Sequence, residues 1–210
     1  LGIQAMIIGT IIGMLLGVAA ALYSNSIVDY ASNVISVIGI SIPSFIFAGL
    51  LQYYLGVELG ILPVAFWGSF AHTIMPTIAL AIFPLAISAR FVRTELIEVL
   101  GSDYIVTARA KGVSNATLMF KHGLRNALIP LVTVMGPMAV SLMTGTLVIE
   151  QIFAVPGIGE QFVTSIMTDD FPIIMGTTLF FAFFFILIIL VIDILYGIID
   201  PRIRIAGGKD

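Results

Sequence analysis

The segment IIMGTTLFFAFFFILIILVIDILYGII, residues 173–199, decides the class of fold, because its only charged side chain is Asp193. About 20 helical residues cross the ~30 Å hydrocarbon core of a bilayer, so this segment is long enough to span it. In lipid, every backbone N–H and C=O must be hydrogen-bonded within the protein, which an α-helix achieves by itself. We therefore predict a transmembrane helix here and an all-α membrane protein.

The composition of the whole chain supports the same class. Of its 210 residues, 60% are hydrophobic and 10% are charged, whereas soluble domains carry about 25% charged residues. The absence of cysteine excludes disulfides and thiolate metal sites. The two histidines, His72 and His122, lack the spacing of metal ligands, so no metal site is predicted. A lipid bilayer is expected around the chain, and no nucleic-acid partner.

Five transmembrane helices are predicted from segments of sufficient length and apolarity. They run over residues 1–23, 33–55, 72–91, 127–149 and 173–199, with a long polar loop at 92–126. The chain opens with Leu1, inside an apolar run and without a starting Met. We therefore expect that at least one upstream span is missing.

The basic residues predict the orientation. Every Lys and Arg falls in the loop 92–126, at its edge, or in the C-terminal tail: Arg90, Arg93, Arg109, Lys111, Lys121, Arg125, Arg202, Arg204 and Lys209. The loops 56–71 and 150–172 carry only acids: Glu58, Glu150, Glu160, Asp169 and Asp170. Under the positive-inside rule, the basic loop and the tail are cytoplasmic in a multi-pass protein of the cell membrane.

The spans themselves carry three polar or small-residue features. Small residues recur at every fourth position of the first span, with Gly9, Gly13 and Gly17 at its centre, and predict a smooth face for helix packing. That face can pack within this chain or against a second, similar subunit. Prolines in three spans indicate kinked helices around a cavity: Pro43, Pro76, Pro84, Pro130 and Pro137. Asp193 suits a structural hydrogen bond, with a proton relay or an ion site as the alternative.

A short helix is predicted in the basic loop. Ser102 can cap its start, Asp103 complements the helix dipole, and Gly112 supplies a left-handed stop after Lys111. Ser114 can cap a second helix that continues towards Pro130. A helix of nine residues is too short to be stable alone, so it needs a surface. The chemistry leaves two surfaces open, a groove in a partner protein and anionic lipid headgroups.

Four motifs carry a resemblance to a known family. They are Ile42-Pro43-Ser44-Phe45; Asp103-Tyr104 with Thr107 to Gly112 and His122 to Pro130; Glu150-Gln151-Ile152-Phe153-Ala154-Val155-Pro156-Gly157-Ile158-Gly159; and Asp193 to Tyr196 with Asp200 to Arg204. In this order, and over almost the whole chain, they resemble the permease subunits of ABC importers. The match is closest to the dipeptide, oligopeptide and nickel branch, and within it to the B-type oligopeptide permease subunit.

The resemblance favours a protein partner for the basic loop. It implies a coupling helix that docks onto an ATPase through Asp103, Tyr104, Thr107, Ala108, Arg109, Ala110, Lys111, Gly112, His122 and Asn126. The implied partners are a second homologous permease subunit, two ABC ATPase subunits and an extracytoplasmic substrate-binding protein. Two positions depart from the broader pattern: Val106 replaces a usual Glu, and Arg125 replaces a frequent Pro. The polar contacts that other importer permeases make with their ATPases therefore cannot be assumed for this chain.

The outer segment forms a second candidate site. Glu150, Phe153, Pro156, Gly157 and Gly159 predict an element near an external gate that contacts the substrate-binding protein. The alternative is a tightly folded loop without such contacts.

The sequence predicts no catalytic residues. It has no Gly-x-x-x-x-Gly-Lys-Ser/Thr loop, so the chain is expected to bind no cofactor and to leave ATP and Mg²⁺ to the partner ATPases. The implied function is peptide import, with nickel or another small solute as the alternative cargo. An ion-coupled secondary transporter would need paired intramembrane acids, and a membrane enzyme would need clustered catalytic residues. The residues that bind substrate remain unassigned.

Overall fold

The computed structural model describes residues 1–114, 117–144 and 146–199, with the backbone alone at residues 120–122, 125–126, 129, 143–144, 195–196 and 199. All regular elements in this part of the chain are helices. They are α1 (Gly2–Leu22), α2 (Ile27–Ser41), α3 (Ser44–Leu51), α4 (Ala71–Leu100), α5 (Asp103–Ala110), α6 (Arg125–Thr144), α7 (Leu147–Ile152), α8 (Ile158–Met167) and α9 (Phe171–Ile199). π-Helical turns at Gln52–Glu58 and Leu118–Leu124 follow α3 and precede α6. The predicted all-α class is confirmed.

The predicted spans correspond to helices of unequal length. α1, α4 and α9 are each long and apolar enough to cross a membrane. α4 continues to Leu100, nine residues beyond the predicted limit of 91. The fourth predicted span lies mostly in α6, whose apolar part Pro130–Leu142 is shorter than a full span.

The second predicted span, 33–55, is not one straight helix. α2 begins at Ile27, and the axis bends by 104° between α2 and the α3 segment Ser44–Glu58. Proline has no N–H, and it disfavours a helical conformation in the residue before it. Ile42 accordingly has an extended backbone, with φ −92° and ψ 121°, before Pro43. The two halves together are long and apolar enough to form one broken span.

The small-residue face of α1 packs on α4. Gly9 lies against the carbonyl oxygen of Ala81, and Gly13 against that of Leu85. A Cβ at Gly17 would lie 2.6 Å from the carbonyl oxygen of Ala89, so no side chain fits there. Because each step of four residues along α1 matches a step of four along α4, the two helices run parallel. α4 of this chain therefore covers the small-residue face of α1, for which the sequence allowed packing either within the chain or against a second subunit.

α2 buries its polar side and exposes its apolar side. Asp29, Ser32, Ser36 and Gly39 are buried, whereas the residues around Ile27, Tyr30 and Val37 are exposed. A Cβ at Gly39 would lie 2.8 Å from the Cβ of Ala86, so α2 lies close to the middle of α4. This arrangement is the reverse of a soluble helix and suits a surrounding of lipid.

Two apolar clusters form the core, one at each end of the bundle. One joins Ala21, Val92, Leu96, Ala127 and Leu131. The other joins Ala5, Met6, Ala48, Met75, Ala79, Leu80, Ala81, Met138, Leu142, Ile149, Phe153 and Val155. The start of α6 packs near the end of α4, while its far end lies against Gly2, so α6 runs antiparallel to α1 and α4.

α9 packs more loosely than the other long helices. Ile192 contacts the position of Gly136 on α6, and the ring of Phe181 stacks edge-on against Phe162 of α8. Asp193 is exposed on α9, and no hydrogen bond or ion pair to it occurs within the described residues. The predicted structural hydrogen bond of Asp193 is therefore absent from the part of the chain that the structure describes.

Candidate functional site

We call the end of the bundle that carries Arg90, Arg93 and α5 the basic end. The predicted helix in the long loop is present there as α5, Asp103–Ala110. Ser102 occupies the N-cap position with an extended backbone, but its hydroxyl donates to the carbonyl oxygen of Val99 and caps no helical N–H. The predicted side-chain cap at Ser102 is therefore wrong. The helix begins instead directly after α4 and is connected to it through Gly101 and Ser102.

The predicted stop at Gly112 is confirmed. Gly112 has φ +82°, in the left-handed region that glycine enters without steric cost. Its N–H donates to the carbonyl oxygen of Arg109 at 3.0 Å, and the N–H of Val113 donates to Ala108 at 3.2 Å. This pair of bonds is a Schellman motif, which satisfies carbonyl groups at the helix end. The motif fixes where α5 stops and which direction the chain takes next.

α5 is attached to the bundle through one buried side chain. Ile105 is fully buried, as is Leu118 in the π-helical turn that follows α5 in the chain. A Cβ added at Gly123 in the same turn would lie only 3.0 Å from the side chain of Leu96 of α4, so this turn lies directly on α4. α5 is therefore connected to the end of α4 both through this turn and through the short link at Gly101.

The opposite side of α5 faces outwards. The predicted docking residues Asp103, Tyr104, Thr107, Arg109, Ala110, Lys111 and Gly112 are exposed, and Ala108 is half-buried. The hydroxyl of Thr107 donates to the carbonyl oxygen of Asp103 and does not project as a free donor. Arg109 and Lys111 place two positive charges at the C-terminal end of the exposed surface, and Asp103 places one negative charge at its start. The side chains of His122 and Asn126, also predicted for docking, lie outside the described residues.

At the other end, which we call the acidic end, Glu150 is buried and caps a helix. Its carboxylate oxygen Oε2 accepts a hydrogen bond of 3.1 Å from the backbone N–H of Gly159, in the first turn of α8. Negative charge is favourable at a helix N-terminus, where backbone N–H groups are unpaired. The same carboxylate fills the space beside Gly157, so neither Gly157 nor Gly159 can carry a side chain without displacing it.

The remaining predicted residues of the outer segment organise around this cap. Phe153 is buried in the apolar cluster, and its carbonyl oxygen accepts a 2.8 Å hydrogen bond from the N–H of Phe66. Pro156 is exposed. Glu150, Phe153, Gly157 and Gly159 thus form one structural unit that also contacts the loop 59–70. Their proposed part in an external gate stays a prediction.

Two interactions at the candidate sites were missed from the sequence. At the acidic end, Gln52 donates through Nε2 to the carbonyl oxygens of Val64 and Ile152, at 3.0 Å each. At the basic end, Asp29 of α2 forms an ion pair with Arg93 of α4. The spacing of Asn25, Asp29 and Asn33 at intervals of four residues is the one local signal for a polar helix face there.

Neither end resembles a metal centre. Among the described residues, no group of three or more His, Cys, Asp or Glu side chains could hold a metal ion. At one end of the bundle, an exposed helix with Arg109 and Lys111 at its C-terminal end is fixed to a long helix. At the other end, a loop assembly is capped by Glu150.

Comparison with known proteins identifies the family of the chain. The family described as binding-protein-dependent transport system inner membrane component matches residues 13–205. The chain belongs to this family of importer permeases. Its members are multi-pass components of the inner membrane, as the apolar helices here require.

Individual permeases match over nearly the whole chain. The dipeptide transport system permease protein DppB of Lactococcus lactis subsp. cremoris is 52% identical over 205 residues, which are 98% of this chain and 68% of that protein. DppB of Bacillus subtilis is 49% identical over 98% of this chain and 67% of the relative. The glutathione transport system permease protein GsiC of Escherichia coli K12 is 44% identical over 97% of this chain and 67% of its own length.

Proposed function

We propose that this chain is a permease subunit of an ATP-driven importer that moves short peptides across the cytoplasmic membrane. In this role α5 is the coupling helix, which docks into a cleft of a cytosolic ATPase subunit. The second homologous permease, two ATPase subunits and an external substrate-binding protein complete the importer. The chain supplies the membrane pathway, and ATP with its Mg²⁺ binds to the partners.

The geometry of α5 is the observation that carries this proposal. The helix is held from one side by Ile105 and ended by the Schellman motif at Gly112, while Tyr104, Arg109 and Lys111 remain exposed. An isolated helix of eight residues would be unstable in water, so the bundle maintains this one in a defined position. A fixed, exposed helix at the end of α4, with Arg109 and Lys111 at its C-terminal end, suits a mechanical link to a partner protein.

The distribution of Lys and Arg supports the proposed orientation. Arg90, Arg93, Arg109 and Lys111 lie at the end that carries α5, whereas Glu58, Glu150 and Glu160 belong to segments of the acidic end. The positive-inside rule favours a cytoplasmic location for the basic end. The acidic end would then face outwards, where a substrate-binding protein delivers its cargo.

Peptides are the favoured cargo because the similar permeases named above serve dipeptide and glutathione transport systems. Nickel stays an alternative from sequence motifs alone, and no described feature favours it over a peptide. Uptake into proteoliposomes that contain the full importer separates the two. Radiolabelled alanyl-alanine should accumulate with ATP, and radioactive nickel should not; the opposite result would reject peptide transport.

Docking and orientation are tested by single cysteines, for which the cysteine-free chain has no background. Arg109→Cys should cross-link to the ATPase subunit through a short thiol-to-amine reagent, and Glu160→Cys should not. In intact cells, a membrane-impermeant maleimide should label Glu160→Cys and leave Arg109→Cys unmodified. Labelling of Arg109→Cys from outside, or cross-linking of Glu160→Cys instead, would contradict the proposed arrangement.

A further inference from the structure

The ion pair between Asp29 and Arg93 is the most densely hydrogen-bonded site among the described residues. Asp29 is 2% exposed, and its carboxylate accepts from Arg93 Nε and, at 2.8 Å, from Arg93 Nη2. It also accepts from the backbone N–H of Asn25 and from Asn33 Nδ2, at 2.9 Å each. Both oxygens of the carboxylate are therefore satisfied by donors on α4, on α2 and in the turn before α2.

Stability alone is a weak explanation for a buried ion pair. Two charges lose their hydration on burial, and apolar residues of similar size often give a protein that is equally stable. A bidentate contact between guanidinium and carboxylate instead fixes both the distance and the relative rotation of the groups that carry it. The pair thus determines how α2 is placed on α4, which non-directional apolar contacts would determine less sharply.

The ion pair lies close to the point where α4 is linked to α5. Arg93 lies seven residues before Leu100, where α4 ends and the link to α5 begins. At the same level, Gly17 brings α1 against α4, since its Cβ would lie 3.1 Å from the backbone nitrogen of Arg93. α1, α2 and α4 therefore meet at the end of the bundle that carries α5.

The other end of α2 is the break at Ile42–Pro43. Asp29 lies 13 residues before Ile42, so about 20 Å of helix separates the ion pair from the 104° bend. Gly39 also contacts Ala86 close to the bend, so α2 lies along α4 over most of this length. A helix fixed to α4 at its first turns must follow α4 when α4 moves, and it carries that movement to the bend.

We propose that Asp29 and Arg93 are positioning residues that make α2 move with α4 and α5, so that a displacement of α5 reaches the bend at Ile42–Pro43. This inference rests on the proposed docking of α5 to an ATPase. In this role the two residues act through α2 and α4 and not through contact with substrate or ATP. They determine how efficiently ATP hydrolysis is converted into transport, and they are not required for ATP hydrolysis itself.

The test replaces both charges with apolar side chains in the full-length subunit, assembled with its partners. The double variant Asp29→Leu with Arg93→Met should insert, assemble with the ATPase and hydrolyse ATP. We expect the amount of alanyl-alanine transported per ATP to fall about tenfold, which corresponds to a change of about 1.4 kcal/mol in coupling. The ratio does not depend on the amount of protein, so a purely structural role would leave it unchanged.

Arg93→Lys provides a second, milder variant. Lysine keeps the charge but lacks the planar fork, so the ion pair remains while the bidentate contact is lost. It should lower transport per ATP by an intermediate factor. The matched control is Arg90→Met, one turn earlier on α4, where the arginine is exposed and no ion pair occurs within the described residues. This control should transport as efficiently as the unmodified protein.

Spin labels measure the movement directly. With Val28→Cys on α2 and Ile97→Cys on α4, both at exposed positions of the cysteine-free chain, the distance between labels should not change between nucleotide-free and ATP-bound importer. In the double variant Asp29→Leu with Arg93→Met, the distribution of distances between the labels should broaden or shift. Unchanged distance and unchanged transport per ATP in that background would overturn the inference. Absence of alanyl-alanine-dependent ATP hydrolysis in the unmodified importer would overturn the proposed function first, and the inference with it.

Discussion

Glu150 and Gly159 are nine residues apart, and the buried carboxylate of Glu150 accepts the backbone N–H of Gly159 at the start of α8. This contact explains why glycine occupies positions 157 and 159 of the outer segment. A buried carboxylate needs donors, and a helix N-terminus supplies them. The N–H of Gly159 reaches Glu150 only if the chain passes very close to the carboxylate, and a Cβ at position 157 or 159 would overlap it.

Gly157→Ala should destabilise the protein by about 1–3 kcal/mol, because the new methyl group would overlap the Glu150 carboxylate. For a chain of this size that corresponds to a fall of about 2–4 °C in the unfolding temperature for each kcal/mol. Thermal unfolding of the purified subunit in detergent measures the effect. Gly176→Ala is the control, since no atom lies within 4 Å of its Cβ position.

A double-mutant cycle identifies the cause of that destabilisation. If the carboxylate is the obstacle, Gly157→Ala should cost less in the Glu150→Ala background than in the unmodified chain. Additive effects of the two substitutions would show that the methyl group meets another obstacle, and the explanation of the glycine would be wrong.

Gly13→Leu should prevent the close packing of α1 on α4. A side chain at this position would meet the backbone at Leu85, and its Cβ would lie 2.8 Å from that of Ser88. Overpacking of a close helix contact costs about 1–3 kcal/mol, and a rigid backbone neighbour leaves little room for relaxation. Quantitative blotting of membranes should show less protein than for the control Gly49→Leu, whose Cβ position has no neighbour within 4 Å. Equal amounts of the two variants would contradict the packing.

Features with local causes could be predicted from the sequence. The apolar length of α1 and α9 and the left-handed stop at Gly112 depend on residues close together in the chain, and all are present. The break at Pro43 was indicated by the proline, yet its 104° angle was not, because packing on α4 and α7 determines it.

Pairings between distant residues could not be predicted. Asp29 and Arg93 are 64 residues apart, and Gln52 and Ile152 are 100 residues apart. A single sequence contains no signal for which helices become neighbours. Local patterns therefore missed both of these long-range contacts.

Gln52→Leu should loosen the loop 59–70 on the outer segment, where the bond from the Phe66 N–H to the Phe153 carbonyl remains. The substitution removes two hydrogen bonds, to Val64 and Ile152, worth about 0.5–1.5 kcal/mol each. Trp67 lies in this loop and is the only tryptophan of the chain, so its fluorescence reports on the loop directly. Quenching by acrylamide should increase in Gln52→Leu and stay unchanged in the control Gln151→Leu, whose side chain is exposed. Identical quenching in both variants would show that Gln52 does not hold the loop.

Gly112→Val should impair transport while leaving the protein in the membrane. The positive φ of +82° at this position costs a residue with a Cβ about 1–2 kcal/mol, and β-branched residues tolerate it least. Loss of the Schellman motif would let the end of α5 unwind and misplace Arg109 and Lys111, so uptake of alanyl-alanine should fall several-fold. Gly112→Asn should retain most of the uptake, because asparagine adopts the left-handed conformation more readily. Gly101→Val is the matched control, since Gly101 has φ −85° and its Cβ position is at least 3.4 Å from its neighbours. Equal losses at Gly101 and Gly112 would contradict a specific requirement for the left-handed stop of α5.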